Sequence, residues 1–210
     1  VRDELRQRLQ AMEVTISQQT AQIARQEEEN VRLKSLTVTD ALTGILNRHG
    51  LMEFATRAIN QRCHELKPGA VKQKEATVTA VYFDLDRFSE ANDSHGHFFG
   101  DEVLRVVAGH ARKHLGHRMS DIVARIGGDE FVIIMIDCGH TQAQNQAEAF
   151  RRAVAEDVRL HFIVGELGIT VSVGIGCQNL EWNTQADQFL NSLITQADQA
   201  MYAAKRTGKN

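Results

Sequence analysis

In the first 36 positions, residues at alternating steps of four and three are mostly apolar, the spacing of a heptad seam. The stretch contains no Gly or Pro and predicts one long helix with a narrow apolar stripe. The alternative is a lone solvated helix, but such a narrow stripe would then stabilise little. We therefore predict that residues 1–36 form a coiled coil that joins two copies of the chain, about 42 Å long from Leu5 to Leu33 at 1.5 Å per residue. The seam consists of Leu5, Leu9, Met12, Ile16, Gln19, Ile23, Gln26, Asn30 and Leu33.

From residue 37 onwards, amphipathic segments alternate with short apolar runs rich in β-branched and aromatic residues. Helices that alternate with strands around a central hairpin are typical of a ferredoxin-like βαββαβ fold, of mixed α/β (α+β) class. We therefore predict a single domain over residues 37–210. Its predicted elements are a helix at 48–66, a strand at 77–84, a helix at 99–116, a hairpin at 122–136, a helix at 141–157, a strand at 169–177 and a closing helix at 187–207.

The composition narrows the class of protein. With 210 residues, 42% of them hydrophobic, the chain can form one packed domain plus an extended helix. A net charge of −3 gives no sign of nucleic-acid binding, so an anionic ligand must be met by local positive charge or a metal ion. No run approaches the roughly 18 apolar residues of a membrane span, and three well-separated cysteines fit reduced thiols. We expect a cytoplasmic protein and, because the chain begins at Val1, a longer protein with an upstream sensor.

Two acidic turns carry the candidate chemistry. Gly127 and Gly128 precede Asp129 and Glu130 at the tip of the predicted hairpin, where glycine lets a ligand approach the backbone closely. A second apolar strand ends in Asp84-Leu85-Asp86. If the two strand ends are neighbours, Asp84 and Asp129 can share a divalent cation, since Mg²⁺ prefers carboxylates together with substrate phosphates. Phosphoryl transfer is then indicated; each turn by itself would be an ordinary acidic turn.

At these residues the sequence resembles the GGDEF domains, the diguanylate cyclases, whose signature is matched in full by Gly127 to Phe131. The resemblance extends from about Thr39 to Asn210 and implies the family's nucleotide-cyclase fold, an elaboration of the ferredoxin-like plan. It rests on five segments in the expected order: Asp40–Arg48, Asp84–Phe88 with Asn92–Asp93, Gly96–His97 with Gly100–Asp101, Gly127–Phe131, and Ala197–Lys205.

The resemblance implies an activity for the whole molecule. Two domains, each with one bound GTP, face each other in a homodimer and form cyclic di-GMP and two pyrophosphates. The metal would be Mg²⁺ or Mn²⁺, bound by Asp84, Asp129 and the backbone carbonyl of Leu85. Glu130 would assist the metal or the deprotonation of the attacking 3′-hydroxyl, which makes Asp129 and Glu130 the catalytic pair.

The resemblance also implies a set of substrate contacts. Asn92 and Asp101 match the residues that hydrogen-bond guanine, and a carboxylate that accepts from the guanine N1 and N2 donors would reject adenine. Lys205 and Lys209 match phosphate contacts. The full substrate-binding set is Asn92, Asp101, Lys205, Lys209, Phe88, Gly127 and Gly128.

Two further positions bear on rate and regulation. Family members usually carry Lys after the Phe of the first acidic motif, whereas Ser89 follows Phe88 here, which removes one phosphate contact. Arg118 and Asp121 form an Arg-x-x-Asp at the offset of the family's product-inhibition site, where cyclic di-GMP binds. A second arginine normally completes that site, and Arg151 or Arg152 is the loose match.

Two other functions stay open from the sequence. The domain could be a catalytically weak or silent module that binds cyclic di-GMP as a receptor through Arg118 and Asp121. Alternatively, residues 1–36 could be the functional part, with an inert globular domain attached. Degenerate relatives usually lose signature residues, and retention of Asp84, Asp129 and Glu130 favours the enzyme.

Overall fold

The structure, a computed structural model, describes residues 8, 10, 12, 15–23, 25–27, 33, 38–68, 76–164 and 168–208. Two compact units make up the chain, Val1–Thr37 and Val38–Asn210. The described helices include none that is long and apolar enough to cross a membrane.

The described residues of the first unit are helical, from Arg8 to Leu33. Four apolar seam residues are more than half exposed in the single chain. These residues are Met12, Ile16, Ile23 and Leu33. The remaining apolar seam positions, Leu5 and Leu9, and the seam residue Asn30 lie outside the described residues. The coiled coil therefore stays a prediction.

The second unit is built from helices packed on both faces of one sheet. Its helices are α1 (Arg48–Glu65), α2 (Phe88–His95), α3 (His97–His114), α4 (His140–Ala155), α5 (Val158–Val164) and α6 (Ala186–Thr207), and its strands are β1 (Ala76–Asp86), β2 (Ile122–Arg125), β3 (Glu130–Ile136) and β4 (Thr170–Leu180).

The four strands form an antiparallel sheet in the order β2-β3-β1-β4, which is the ferredoxin-like arrangement predicted from the sequence. One face packs against α2, α3, α4 and α5 around Phe83, Phe131 and Phe150. The other packs against α1 and α6. Because β1 is central, its C-terminal end lies beside β3 on one side and β4 on the other, and this end carries Asp84.

The predicted helix at 99–116 is wrong at both ends and omits a neighbour. It spans His97–His114, and a separate helix, α2, precedes it after a break at Gly96, whose φ of 84° is left-handed. Only Ala91 of α2 is buried, so this helix has no apolar stripe for a sequence pattern to reveal. Helix α5 was also missed, and β1 and β4 are longer than the predicted strands.

Candidate active site

The C-terminal end of β1 places the first acidic group of the site. Strand alternation puts Tyr82 and Asp84 on the face covered by α1 and α6, while the side chain of Leu85 is buried in the opposite core. Leu85 can therefore contribute only its backbone to the site. Asp84 lies directly opposite Glu130 of β3 and is only 8% exposed.

The second acid of this strand, Asp86, has a different role. It is buried, and its two carboxylate oxygens accept hydrogen bonds of 2.7 Å from the hydroxyls of Thr170 and Ser172 on β4. These bonds satisfy the carboxylate and hold the ends of β1 and β4 together. Asp86 is thus a structural residue beside the site, and Asp84 is the carboxylate of this pair that faces the site.

Helix α6 brings a cation to Asp84. The Nζ atom of Lys205 lies 2.5 Å from Oδ1 of Asp84. The helix approaches β4 closely because Gly174 and Gly176 have no side chains; a Cβ on Gly174 would lie 2.1 Å from the backbone of Ala197. Glycine at these two strand positions therefore fixes where Lys205 meets the sheet. Lys209, the other predicted phosphate contact, lies outside the described residues.

The Gly-Gly turn joins β2 to β3 and holds Asp129 and Glu130. A Cβ added to Gly127 would lie 2.3 Å from Oε2 of Glu130, so the glycine is needed for this carboxylate to fold beneath the turn. A Cβ on Gly128 would meet nothing within 4 Å, which leaves its outer side open to a ligand. The open side of Gly128 is where the sequence analysis expects a ligand to approach, whereas Gly127 makes room for Glu130.

Arg125 fixes this turn, a role that the sequence analysis missed. Its Nε and Nη2 atoms donate to the carbonyl of Gly128 at 3.0 and 2.7 Å, and its Nη1 atom bonds Asp40 at 3.2 Å. Thr43 also donates to Asp40, from its backbone N at 2.9 Å and from its hydroxyl. The loop of residues 38–47, here called the leading loop, is therefore tied directly to the signature turn. Arg125 stands two positions before Gly127, which was the only sequence signal.

Tyr82 is the second site residue that the sequence analysis missed. Its side chain is 94% buried in the sheet face that carries Asp84, and its hydroxyl interacts with the carboxylate of Glu130. Burial raises the pKa of Tyr82 far above its ordinary value, and the charge of Glu130 raises it further. The tyrosine is thus a neutral hydrogen-bond donor beside the candidate catalytic acid.

The acidic groups can be tested for their fit to a divalent cation. Burial raises the pKa of the Asp84 carboxyl, Lys205 opposes this, and the charges of Asp129 and Glu130 raise it again, so three carboxylates share one small region. In the described part of the chain, no three His, Cys, Asp or Glu side chains already surround one cation position. Mg²⁺ is commonly held by one or two protein carboxylates and completed by nucleotide phosphates. Asp84, Asp129 and the main chain of Leu85 supply suitable hard oxygen donors.

The predicted guanine contacts lie on α2 and α3, which pack against each other at Asn92 and Gly100. A Cβ on Gly100 would lie 1.9 Å from Oδ1 of Asn92 and 3.2 Å from the ring of Phe88, so the approach depends on glycine. Among the described residues, Oδ1 of Asn92 is buried without a hydrogen-bond partner. An orphaned amide oxygen is a polar group that a ligand donor could satisfy, and Asp101 on α3 is half-buried.

The turn between β1 and α2 has an unusual backbone. Arg87 has a left-handed φ of 62°, uncommon for a residue with a side chain, and its Nε donates to Glu90 at 3.0 Å. Ser89 follows on the exposed surface of α2. The position where the family usually carries a lysine therefore faces solvent.

The predicted inhibitory residues pair with each other. Nη2 of Arg118 lies 2.9 Å from Oδ1 of Asp121, whose side chain is fully buried while that of Arg118 is 29% exposed. In this arrangement Arg118 is the accessible member, and Asp121 orients it. Arg151 and Arg152 both bond Glu148, at 2.8 and 2.7 Å, and hold its pKa at about 2.

Comparison with known proteins identifies the family. The chain is 34% identical over 205 residues, 97% of its length, to the diguanylate cyclase DgcP of Pseudomonas aeruginosa, and 32% identical over 178 residues, 85% of its length, to the cyclic di-GMP phosphodiesterase PdeR of Escherichia coli. It spans only 28% and 24% of these two relatives.

A solved structure of similar organisation contains the coiled coil and GGDEF domain of DgcB from Caulobacter crescentus in complex with c-di-GMP. It matches 94% of this chain and 96% of that chain, with a TM-score of 0.65 and 26% identity. The family model for the diguanylate cyclase GGDEF domain matches residues 37–210. With the signature turn, its acidic partners and this match in agreement, the chain belongs to the GGDEF family.

Proposed function

We propose that this chain is a diguanylate cyclase domain that condenses two GTP molecules into cyclic di-GMP and two pyrophosphates across a homodimer. The observation that carries the proposal is the shared edge of β1 and β3, where Asp84, Asp129 and Glu130 lie together beside an open glycine. A silent domain would have no need to keep the buried Asp84 within electrostatic reach of Asp129 and Glu130, because their charges oppose its ionisation.

Each group of site residues has a separate proposed role. Asp84 and Asp129, with the backbone of Leu85, would hold Mg²⁺ or Mn²⁺, which when bound neutralises phosphate charge. Lys205, with Lys209, would add positive charge near the phosphates. Glu130, oriented by Tyr82, would accept the proton of the attacking 3′-hydroxyl or support the metal. Orientation and charge neutralisation of this kind are the main contributions of a protein to phosphoryl transfer.

Helices α2 and α3 carry the residues that we propose select guanine. Asn92 and Asp101 would receive the donors of the guanine edge, and Phe88 would cover the apolar side. Adenine lacks the donor pair that a carboxylate can accept, so it would leave Asp101 unpaired. The orphaned Oδ1 of Asn92 supports this assignment.

Purified protein with GTP and Mg²⁺ tests the activity. We expect cyclic di-GMP and pyrophosphate by chromatography and mass spectrometry, and no cyclic dinucleotide from ATP.

Asp129→Asn should lower turnover by about 10²-fold or more, since it removes a charge at the reacting phosphates. Near wild-type turnover in a folded, metal-binding Asp129→Asn protein would show that the centre is misplaced.

Asp101→Ser should relax discrimination against ATP, and unchanged discrimination would remove Asp101 from the base site.

Regulation by product is a second part of the proposal. The partly exposed side chain of Arg118, held by Asp121, carries a guanidinium that can fork onto a guanine edge or phosphate. Arg118→Ala should raise the concentration of cyclic di-GMP needed for half-inhibition without changing the initial rate. Equal binding of cyclic di-GMP to wild type and variant by calorimetry would reject the site.

A receptor without cyclase activity is the alternative. Ser89 in place of the usual lysine favours it, since a phosphate contact is absent from the surface of α2. A receptor would bind cyclic di-GMP and lose that binding in Arg118→Ala, yet form no product from GTP. The product assay therefore separates the two functions.

A further inference from the structure

The ion pair with Lys205 occupies Asp84, the carboxylate that the proposed function assigns to the metal ion. Nζ of Lys205 lies 2.5 Å from Oδ1 of Asp84, and the side chains are 29% and 11% exposed. Lys205 stands in the last turns of α6, whose backbone is seated on Gly174 and Gly176 of β4. The ammonium is thus delivered to the carboxylate by a closely packed helix.

An ammonium and a divalent cation compete for the same oxygen. Both are compact, strongly hydrated cations that bind carboxylates mainly as point charges. Oδ1 of Asp84 is almost buried, so it has little room for a second cation while Nζ is in contact with it. Asp129 and Glu130 add negative charge nearby, which attracts whichever cation is present.

We infer that Lys205 is an exchangeable stand-in for the divalent cation: it neutralises Asp84 in the nucleotide-free protein and transfers to the nucleotide phosphates when the metal binds. This inference rests on the proposed function, which supplies both the metal and the phosphates. Lysine suits the exchange because its long stem lets the charge move by several ångström while the helix stays in place. The protein thereby avoids an uncompensated acidic cluster before substrate arrives.

The exchange predicts that removal of the Lys205 ammonium has opposite effects on metal affinity and on nucleotide affinity. Removing the ammonium should strengthen metal binding in the absence of nucleotide, because the metal no longer displaces a competitor. The same change should weaken nucleotide binding, because the phosphates lose a cation. A lysine that served only the phosphates would change nucleotide binding alone.

Calorimetric titration of the full chain with Mn²⁺ in the absence of nucleotide tests the inference. Lys205→Met should bind Mn²⁺ about tenfold more tightly than wild type, the effect of removing one competing charge at contact distance. Arg206→Met is the matched control, since it removes one positive charge from the neighbouring exposed position of α6. Equal Mn²⁺ affinity in Lys205→Met and Arg206→Met would overturn the inference, because only a general charge effect would then remain.

Two more variants keep the result interpretable. Lys205→Arg retains a cation and should stay closer to wild type in Mn²⁺ affinity than Lys205→Met does; it also serves as a folded reference if Lys205→Met is poorly folded. In the background of Asp84→Asn, Lys205→Met should have no effect on Mn²⁺ binding, and a persisting tenfold gain would contradict the exchange. These titrations contain no GTP, so they do not depend on cyclase activity. If the cyclase proposal fails, the wild type forms no cyclic di-GMP in the separate product assay.

Discussion

The contact between Gly100 and Asn92 shows how one missing side chain shapes the substrate site. Helices α2 and α3 pack so closely that any Cβ at residue 100 would overlap the amide of Asn92. The glycine therefore sets how closely α3 approaches Asn92, the predicted guanine contact. Another glycine of the same helix, Gly109, would direct a Cβ into open space.

We predict that Gly100→Ala raises the KM for GTP by about tenfold, because Asn92 must move to admit the methyl group and then loses one guanine hydrogen bond. Gly109→Ala is the control and should stabilise the protein by about 0.5–1 kcal/mol, as expected for alanine in a helix. Steady-state kinetics and thermal unfolding measure both variants. An unchanged KM in Gly100→Ala would exclude Asn92 from the substrate site.

Tyr82 gives a second prediction at this scale. Tyr82→Phe keeps the buried ring but removes the hydroxyl that faces Glu130. We expect kcat to fall by about fivefold to tenfold with little change in the KM for GTP, since orientation of Glu130 matters for reaction more than for binding. Tyr202→Phe, at the exposed tyrosine of α6, is the control and should match wild type. A parallel loss in both variants, or a change in KM alone, would contradict the role of Tyr82.

Among the elements, the leading loop and the signature turn act as one unit through Asp40 and Arg125. Burial alone would raise the pKa of Asp40, but the hydrogen bonds of Thr43 and the charge of Arg125 lower it below 3.8. A carboxylate with a lowered pKa stabilises the fold at pH values above its unfolded pKa. That contribution is lost as the pH falls through the folded pKa.

Asp40→Asn should therefore lower the free energy of unfolding by about 1 kcal/mol at neutral pH. The difference from wild type should shrink as the pH falls below 3.8, where Asp40 of the wild type becomes protonated. Denaturant unfolding at pH 7 and near pH 3 measures this. A difference that stays constant with pH would mean that Asp40 acts by shape and not by charge.

The sequence predicted the elements that local patterns encode and missed those that depend on distant partners. The apolar run before Asp84 and the Gly127–Gly128 turn revealed the sheet and the acidic centre directly. Helix α2 was missed because Ala91 is its only buried residue.

Other features depend on register, which a single sequence does not reveal. The packing of α6 on Gly174 is a long-range contact between helix and sheet. The bonds of Asp86 to β4 and the contact of Tyr82 with Glu130 depend on long-range strand pairing. The pairing of Arg118 with Asp121 is local, yet the sequence did not indicate that the arginine would cover the acid.

For the whole molecule, the exposed stripe of the first unit is the feature that calls for a second copy of the chain. We propose that Ile16, Ile23 and their seam neighbours pair with the same residues of another chain, which would raise the effective concentration of one catalytic domain near the other. The DgcB structure also contains a coiled coil together with its GGDEF domain.

Ile23→Lys should weaken the dimer and make activity depend steeply on protein concentration, with recovery towards the wild-type rate at high concentration. Gln18→Lys adds the same charge at an exposed position off the seam and should leave both properties unchanged. Light scattering and initial rates over a range of concentrations measure the effect. Dimers of equal stability in the two variants would exclude the predicted seam.

The leading loop also has a mechanical consequence. The backbone N of Asn47 donates to the carbonyl of Val38, and on either side of Leu46 parallel bonds join the loop to Val123 and Arg125 of β2. A displacement of Val38 acts first on its bond to Asn47, and the adjacent Leu46 passes the load to β2 through its bonds to Val123 and Arg125. A displacement at Val38 is thus expected to reach Arg125, which holds the Gly-Gly turn, through a short run of backbone hydrogen bonds.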